Sequence, residues 1–167
     1  QAAIDEASAG DVIEVSDGIY TENLSIDKNL TLRSENGRGS TTINGIADGS
    51  LGTVLIEGST TGVSLGAPGQ GFTINGIDNG NPGIENAAVY VRGNHSSLSV
   101  QNNEIVANGD HGFLAEYGAT LTDPVLDDNI FSGQTFTVSN PAGSGFSQQF
   151  TLANVPRQLI ALGNGGG

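Results

Sequence analysis

Apolar residues along this chain fall in short alternating runs, rich in Val, Ile, Leu and Thr and closed by Gly, Asn or Asp. That two-residue period predicts strands at Val12–Val15, Asn23–Ile26, Leu30–Arg33, Thr53–Glu57, Gly71–Asn75, Ala87–Arg92, Leu98–Gln101 and Gly112–Ala115. No helix-length pattern separates these runs, so helices alternating with the strands are not expected.

The pattern also repeats. Thr42–Ile46 and Thr73–Ile77 are both Thr-Ile-Asn-Gly-Ile, 31 residues apart. The Asn-x-Ile part returns at Asn103-Glu104-Ile105, and again at Asp128-Asn129-Ile130 with Asp in place of Asn, at spacings of 28 and 25. A shift of 25 lays Val100 on Val125, Asn102 on Asp127 and Ile105 on Ile130. Repeats of this length signal stacked supersecondary units. Hairpins with Asn-Gly turns would also give short strands, but they would not return the same tripeptide at successive repeats. A coil that climbs one strand spacing per turn does so as a matter of course.

The expected fold is therefore all-β: a right-handed single-stranded parallel β-helix of three sheets and about four coils. Equivalent residues then lie one above another. Asn and Ile two apart share a side of the strand, so Asn44, Asn75, Asn103 and Asp128 are expected to form an inward structural ladder. Buried amides there would bond the coils above and below.

The opening stretch is similar to the first coil of right-handed parallel β-helices of the pectin-lyase-like superfamily. The matching residues are Gln1–Asp5, Gly10-Asp11, Gly18–Asn23 and Lys28–Leu32. The likeness is to the non-enzymatic surface-protein type rather than to a characterised enzyme family. It implies a short capping helix over residues 1–8, for which Ala3, Ile4 and Ala7 have the spacing of an apolar face. Coils would then occupy 9–133. Residues 134–157 leave the register with Phe136, Phe146 and Phe150, as a lid on the coil or a contact surface, and 158–167 begin a further coil of a longer chain.

Composition narrows the chemistry. Eighteen acidic against five basic side chains leave a net charge of −13, which repels nucleic acid and anionic lipid. No apolar run approaches the roughly 20 residues that span a bilayer, and with no Cys there are neither disulfides nor thiolate metal sites. Gly18-x-Tyr20-x-Glu22 resembles the first signature of pectin methylesterases, but their later Gln-Asp-Thr-Leu and Gly-Arg-Pro-Trp segments are missing. Lyases and epimerases of the superfamily use a Lys, Arg or His base. Here Arg92, at a strand end, is the best single candidate. Asp110-His111 and His95 fall in turns, and Arg33 and Arg38 flank Glu35 as surface pairs. The 25-residue shift also sets Asp110 over Glu85, two carboxylates that a Ca²⁺ ion would hold together.

Two functions follow from this. One is a secreted or cell-surface structural or adhesive module without catalysis, part of a larger surface, fibre or surface-layer protein, and partnered by its own copies or neighbouring surface proteins. The other is a polysaccharide lyase or epimerase acting on an acidic polysaccharide. The thin inventory of bases favours the first.

Overall fold

The structure, a computed structural model, describes residues 1–78, 86–108, 111–116, 119–132, 137–139 and 161–163. After helix α1 (Ala2–Glu6) come β1 (Val12–Val15), β2 (Gly18–Thr21) and β3 (Leu24–Ile26). The next pass of the chain supplies β4 (Leu30–Ser34), β5 (Thr41–Asn44), β6 (Gly52–Ile56) and β7 (Ser59–Thr60). It is followed by β8 (Val63–Leu65), β9 (Thr73–Asn75), β10 (Ala87–Val91) and β11 (Asn94–Ser96). Then come β12 (Ser99–Gln101), β13 (Glu104–Val106), β14 (His111–Ala115) and β15 (Thr120–Thr122). The last are β16 (Val125–Asp127), β17 (Ile130–Ser132), β18 (Thr137–Ser139) and β19 (Ala161–Gly163).

Every pairing among the described residues is parallel, and successive passes add strands to the same sheets. The first sheet runs β1-β4-β8-β12-β16, the second β2-β5-β9-β13-β17, and the third β3-β6-β10-β14-β18-β19. This all-β arrangement is consistent with a parallel β-helix. Three sheets were expected; among the described residues there are four, the last being β7-β11-β15. Its strands, Ser59-Thr60, Asn94-His95-Ser96 and Thr120-Leu121-Thr122, carry too few apolar residues for alternation to reveal them.

The core is built from columns. Ile13, Leu32, Leu65, Val100 and Leu126 stack inside the first sheet. Tyr20, Ile43, Ile74, Ile105 and Phe131 stack inside the second, and Leu24, Val54, Val89 and Phe113 inside the third. Ile43, Leu65, Ile74, Val89, Val100, Ile105 and Phe113 belong to one buried cluster that also takes in Ile4 of α1. Of the expected helix face, Ile4 is buried, Ala7 half-buried and Ala3 exposed, because a five-residue helix turns only one residue fully onto the core. A cavity of about 120 Å³ remains beneath it, between Ile4, Val15, Tyr20 and Ile43.

The register corrects the 25-residue shift. Val100 pairs with Leu126 and Ile105 with Phe131, a shift of 26. A one-residue slip exchanges the two faces of a strand: Val125 and Ile130 are outside, at 41% and 44% exposure. The turns keep the same period. Ser97 and Asp123 (φ 55 and 50), and Asn102 and Asp128 (φ 58 and 52), are left-handed residues in two pairs 26 apart.

Candidate functional site

The Thr-Ile-Asn-Gly-Ile motifs are stacked one on the other: Thr42 pairs with Thr73, Ile43 with Ile74, and Asn44 with Asn75. Both asparagines face outward and are half-buried, with Asn75 Nδ2 donating to Asn44 Oδ1 at 2.7 Å. The inward placement expected for them fails because β5 ends at Asn44. Ile46 lies past the strand and is 38% exposed, and the isoleucine that fills the core is Ile43, the residue before the Asn.

Asn103 stands in another column. It precedes β13, is fully buried, and its partner below is Asn129 rather than Asp128. Asn103 Nδ2 donates to the Leu65 carbonyl (2.9 Å), and its Oδ1 accepts the Phe72 N–H (2.9 Å). Asn129 Nδ2 donates to the Val100 carbonyl at 2.7 Å. Asp128 is exposed in a left-handed turn. The expected ladder of four is thus an outer pair, an inner pair that includes an unforeseen residue, and a surface aspartate. Asn129 could have been found by choosing the shift that keeps large apolar residues on one face.

Other amides join neighbouring passes in the same way. Asn23 Oδ1 accepts the Ile46 N–H and its Nδ2 donates to the Ile46 carbonyl. Asn29 Oδ1 accepts the Thr61 N–H while its Nδ2 donates to Thr61 Oγ1. The side chain of Gln1 bonds both the N–H and the carbonyl of Ser25.

The basic groups are committed. Lys28 Nζ donates to the carbonyls of Ile4, Asp5 and Ala7 at the end of α1. Arg33 pairs with Glu14, its register neighbour, and not with Glu35. Arg38 donates to the carbonyls of Asn102 and Asp128.

Arg92 stands one strand spacing from Glu57, because Ile56 pairs with Val91. Its Nε donates to Glu57 Oε2 at 3.0 Å, and Ser25 Oγ donates to Glu57 Oε1 at 2.9 Å. The Arg92 bond holds the Glu57 carboxyl below its usual range, against an opposing push from burial. The same bond, aided by the nearby Glu116 charge, raises the Arg92 guanidinium above its ordinary value. Both groups are locked in their charged forms, which suits an ion pair and not a proton carrier.

His95, expected in a turn, lies in β11 and is 2% exposed. Its Nε2 is 2.8 Å from the Arg92 carbonyl, which only accepts, so Nε2 carries the hydrogen. Nδ1 then accepts from Thr60 Oγ1 at 2.7 Å. His111 opens β14 half-buried, with Nδ1 buried and unpartnered. Asp110, its expected partner, lies outside the described residues, as do Glu85, Phe136, Phe146 and Phe150. Two residues past Glu85, Ala87 pairs with His111, a shift of 24; the expected Glu85 and Asp110 cation pair itself lies outside the described residues. Among the described residues no group of three or more His, Asp and Glu side chains converges.

On the outside of the fourth sheet lies an open cavity of about 280 Å³, floored by Thr60 and His95 and lined by outward hydroxyls and an amide.

The chain matches no family model, no curated protein and no solved structure.

Proposed function

We propose that the chain is a right-handed parallel β-helix of about four coils, closed at its start by α1, and that it serves as a non-catalytic structural or adhesive module of a larger secreted or cell-surface protein. Right-handedness follows from the general rule for parallel strands joined by crossovers. Support for the cap is the buried Ile4 and the Lys28 ammonium holding the end of the helix.

One observation carries the functional reading. Each Lys and Arg among the described residues is tied to a carboxylate or to backbone carbonyls, and the buried His95 has both ring nitrogens engaged. His111, whose unpartnered Nδ1 is buried away from solvent, is the one described base not tied in this way. An eliminase or epimerase needs a base free to reach its substrate. Surface pairs alone would be weak evidence, being worth little energetically.

Neighbouring copies or other surface proteins are the partners this reading favours. The exposed Val12 and Ile19 (56% and 74%) and Val125 and Ile130 stand on the outward columns of the first and second sheets. The test is incubation with polygalacturonate, alginate and pectin, with and without Ca²⁺, following unsaturated uronate by absorbance and epimerisation by NMR. No turnover is expected. Turnover abolished by Arg92→Ala or His111→Ala would overturn the proposal in favour of the carbohydrate-active enzyme.

A further inference from the structure

The open face of the fourth sheet differs chemically from the rest of this acidic molecule. Ser59, Asn94 and Thr120 are in register, one per strand, and all are exposed. Ser96 and Thr122 form a second column two residues along, with the buried Thr60, His95 and Leu121 between. The two outward columns are separated by about 6.6 Å along the strands, and their members by about 4.8 Å from strand to strand. None of these five side chains bonds another described group. Among the described residues no Asp, Glu, Lys or Arg lines the cavity above them, in a chain with 23 such residues. Beneath it, the His95 bonds to Thr60 and the Arg92 carbonyl hold β11 in place, which fixes the directions of Asn94 and Ser96.

We propose that this groove binds an uncharged saccharide. The surrounding field of a −13 chain turns anions away. A hard cation would require carboxylate oxygens, and the described lining has none. An apolar ligand would strip water from five polar groups without replacing their bonds. Hydroxyls and an amide each offer donor and acceptor together, and a neutral sugar presents the same paired chemistry at successive positions along its length. Among the described residues the groove presents no exposed aromatic face for a sugar to stack on, the His95 ring being buried in its floor. Affinity therefore rests on hydrogen bonds exchanged with water and is modest, with Kd on the order of 1 mM. This binding does not depend on whether the chain is catalytic.

The experiment is a ¹H–¹⁵N NMR titration of the 167-residue chain. Three neutral probes (cello-, xylo- and manno-oligosaccharides) are compared with oligogalacturonate as the anionic control. The expected result is saturable shifts at the Asn94 side-chain amide and at the backbone of Ser59, Ser96, Thr120 and Thr122, with at least one neutral probe and not with the uronate. Asn94→Ala and Thr120→Val should each weaken binding by about tenfold while leaving the melting temperature unchanged, since both side chains are exposed and unpartnered. The proposal fails if no neutral probe gives a saturable shift on this face. It also fails if the uronate shifts the same residues equally, or if both variants bind as the parent does.

Discussion

Replacing Asn103 by Ala tests the interior of this fold, and replacing Asn75 by Ala tests its exterior. Asn103 is fully buried, and its amide serves the Leu65 carbonyl, the Phe72 N–H and Asn129 at once. Alanine leaves the N–H of Phe72, itself 0% exposed, without an acceptor. One orphaned buried donor costs about 1–3 kcal/mol, and losing the bonds to Leu65 and Asn129 adds about 1 kcal/mol. The sum is a destabilisation of about 2–4 kcal/mol. Asn75 is half-buried on the outer face and makes a single side-chain bond, to Asn44. Water replaces that bond, so Asn75→Ala should cost only about 0.5–1 kcal/mol. Urea unfolding at constant m reads both. On heating, Asn103→Ala should melt about 5–15 °C below the parent. Equal costs for the two variants would refute the assignment of Asn75 to the outside. A neutral Asn103→Ala would refute the buried amide network.

Four further outcomes are expected. Asn129→Asp should destabilise by about 2–4 kcal/mol, because a carboxylate cannot donate to the Val100 carbonyl, whereas Asp128→Asn on the exposed turn should be neutral; the reverse order in urea melts would place the register one residue away. Glu57 is depressed below 4.5 in the folded chain, so its contribution is present above that value and fades as pH falls through the folded one; Glu57→Gln should flatten this part of the acid limb, and an unchanged slope in urea midpoints from about pH 6 to pH 3 would count against the ion pair. Gly93 has φ +96, and a Cβ there would run into the Gly58 carbonyl oxygen. Gly93→Ala should therefore cost about 2–4 kcal/mol, and a thermal melt matching the parent would show that the stacked turns are further apart. Lys28→Met removes the ammonium from the last carbonyls of α1 and should cost about 1 kcal/mol, with faster amide exchange in Ala2–Ala7 and none in the sheets; unchanged protection of the helix would sink the capping role.

The sequence pattern was enough to place β1 at Val12–Val15 and β12 to within a residue, where Glu14 and the pair Ser99 and Gln101 break the apolar run. It located β10 to within a residue as a short continuous apolar run, Ala87–Val91, buried on both faces. It could not find Ser59-Thr60 or Asn94–Ser96, whose inward positions are Thr60 and His95. There the core is lined by a hydroxyl and an imidazole that satisfy each other, and a polar pair carries no hydrophobic signal. That pair closes the fourth sheet, so missing it cost a sheet and put a buried strand histidine in a turn. The one-residue error at Asn129 has a different cause. Aligning Asn103 with Asp128 matched chemical names, whereas the strands match volumes: Leu126 sits under Val100 and Phe131 under Ile105.

The same distinction separates what could be read of the function from what could not. A base inventory can be counted from the sequence, but not whether each base is free, since that depends on which carbonyl or carboxylate the next pass brings alongside. Arg38 meets the carbonyls of Asn102 and Asp128, 64 and 90 residues away. Glu57 meets Arg92 only because passes of unequal length bring Ile56 onto Val91. Glu14, likewise, takes Arg33 from Glu35, which is nearer in sequence. In a stacked fold the neighbours that decide chemistry lie one or more whole passes away. Reading the register from core volumes therefore has to come before assigning a role to any charged residue.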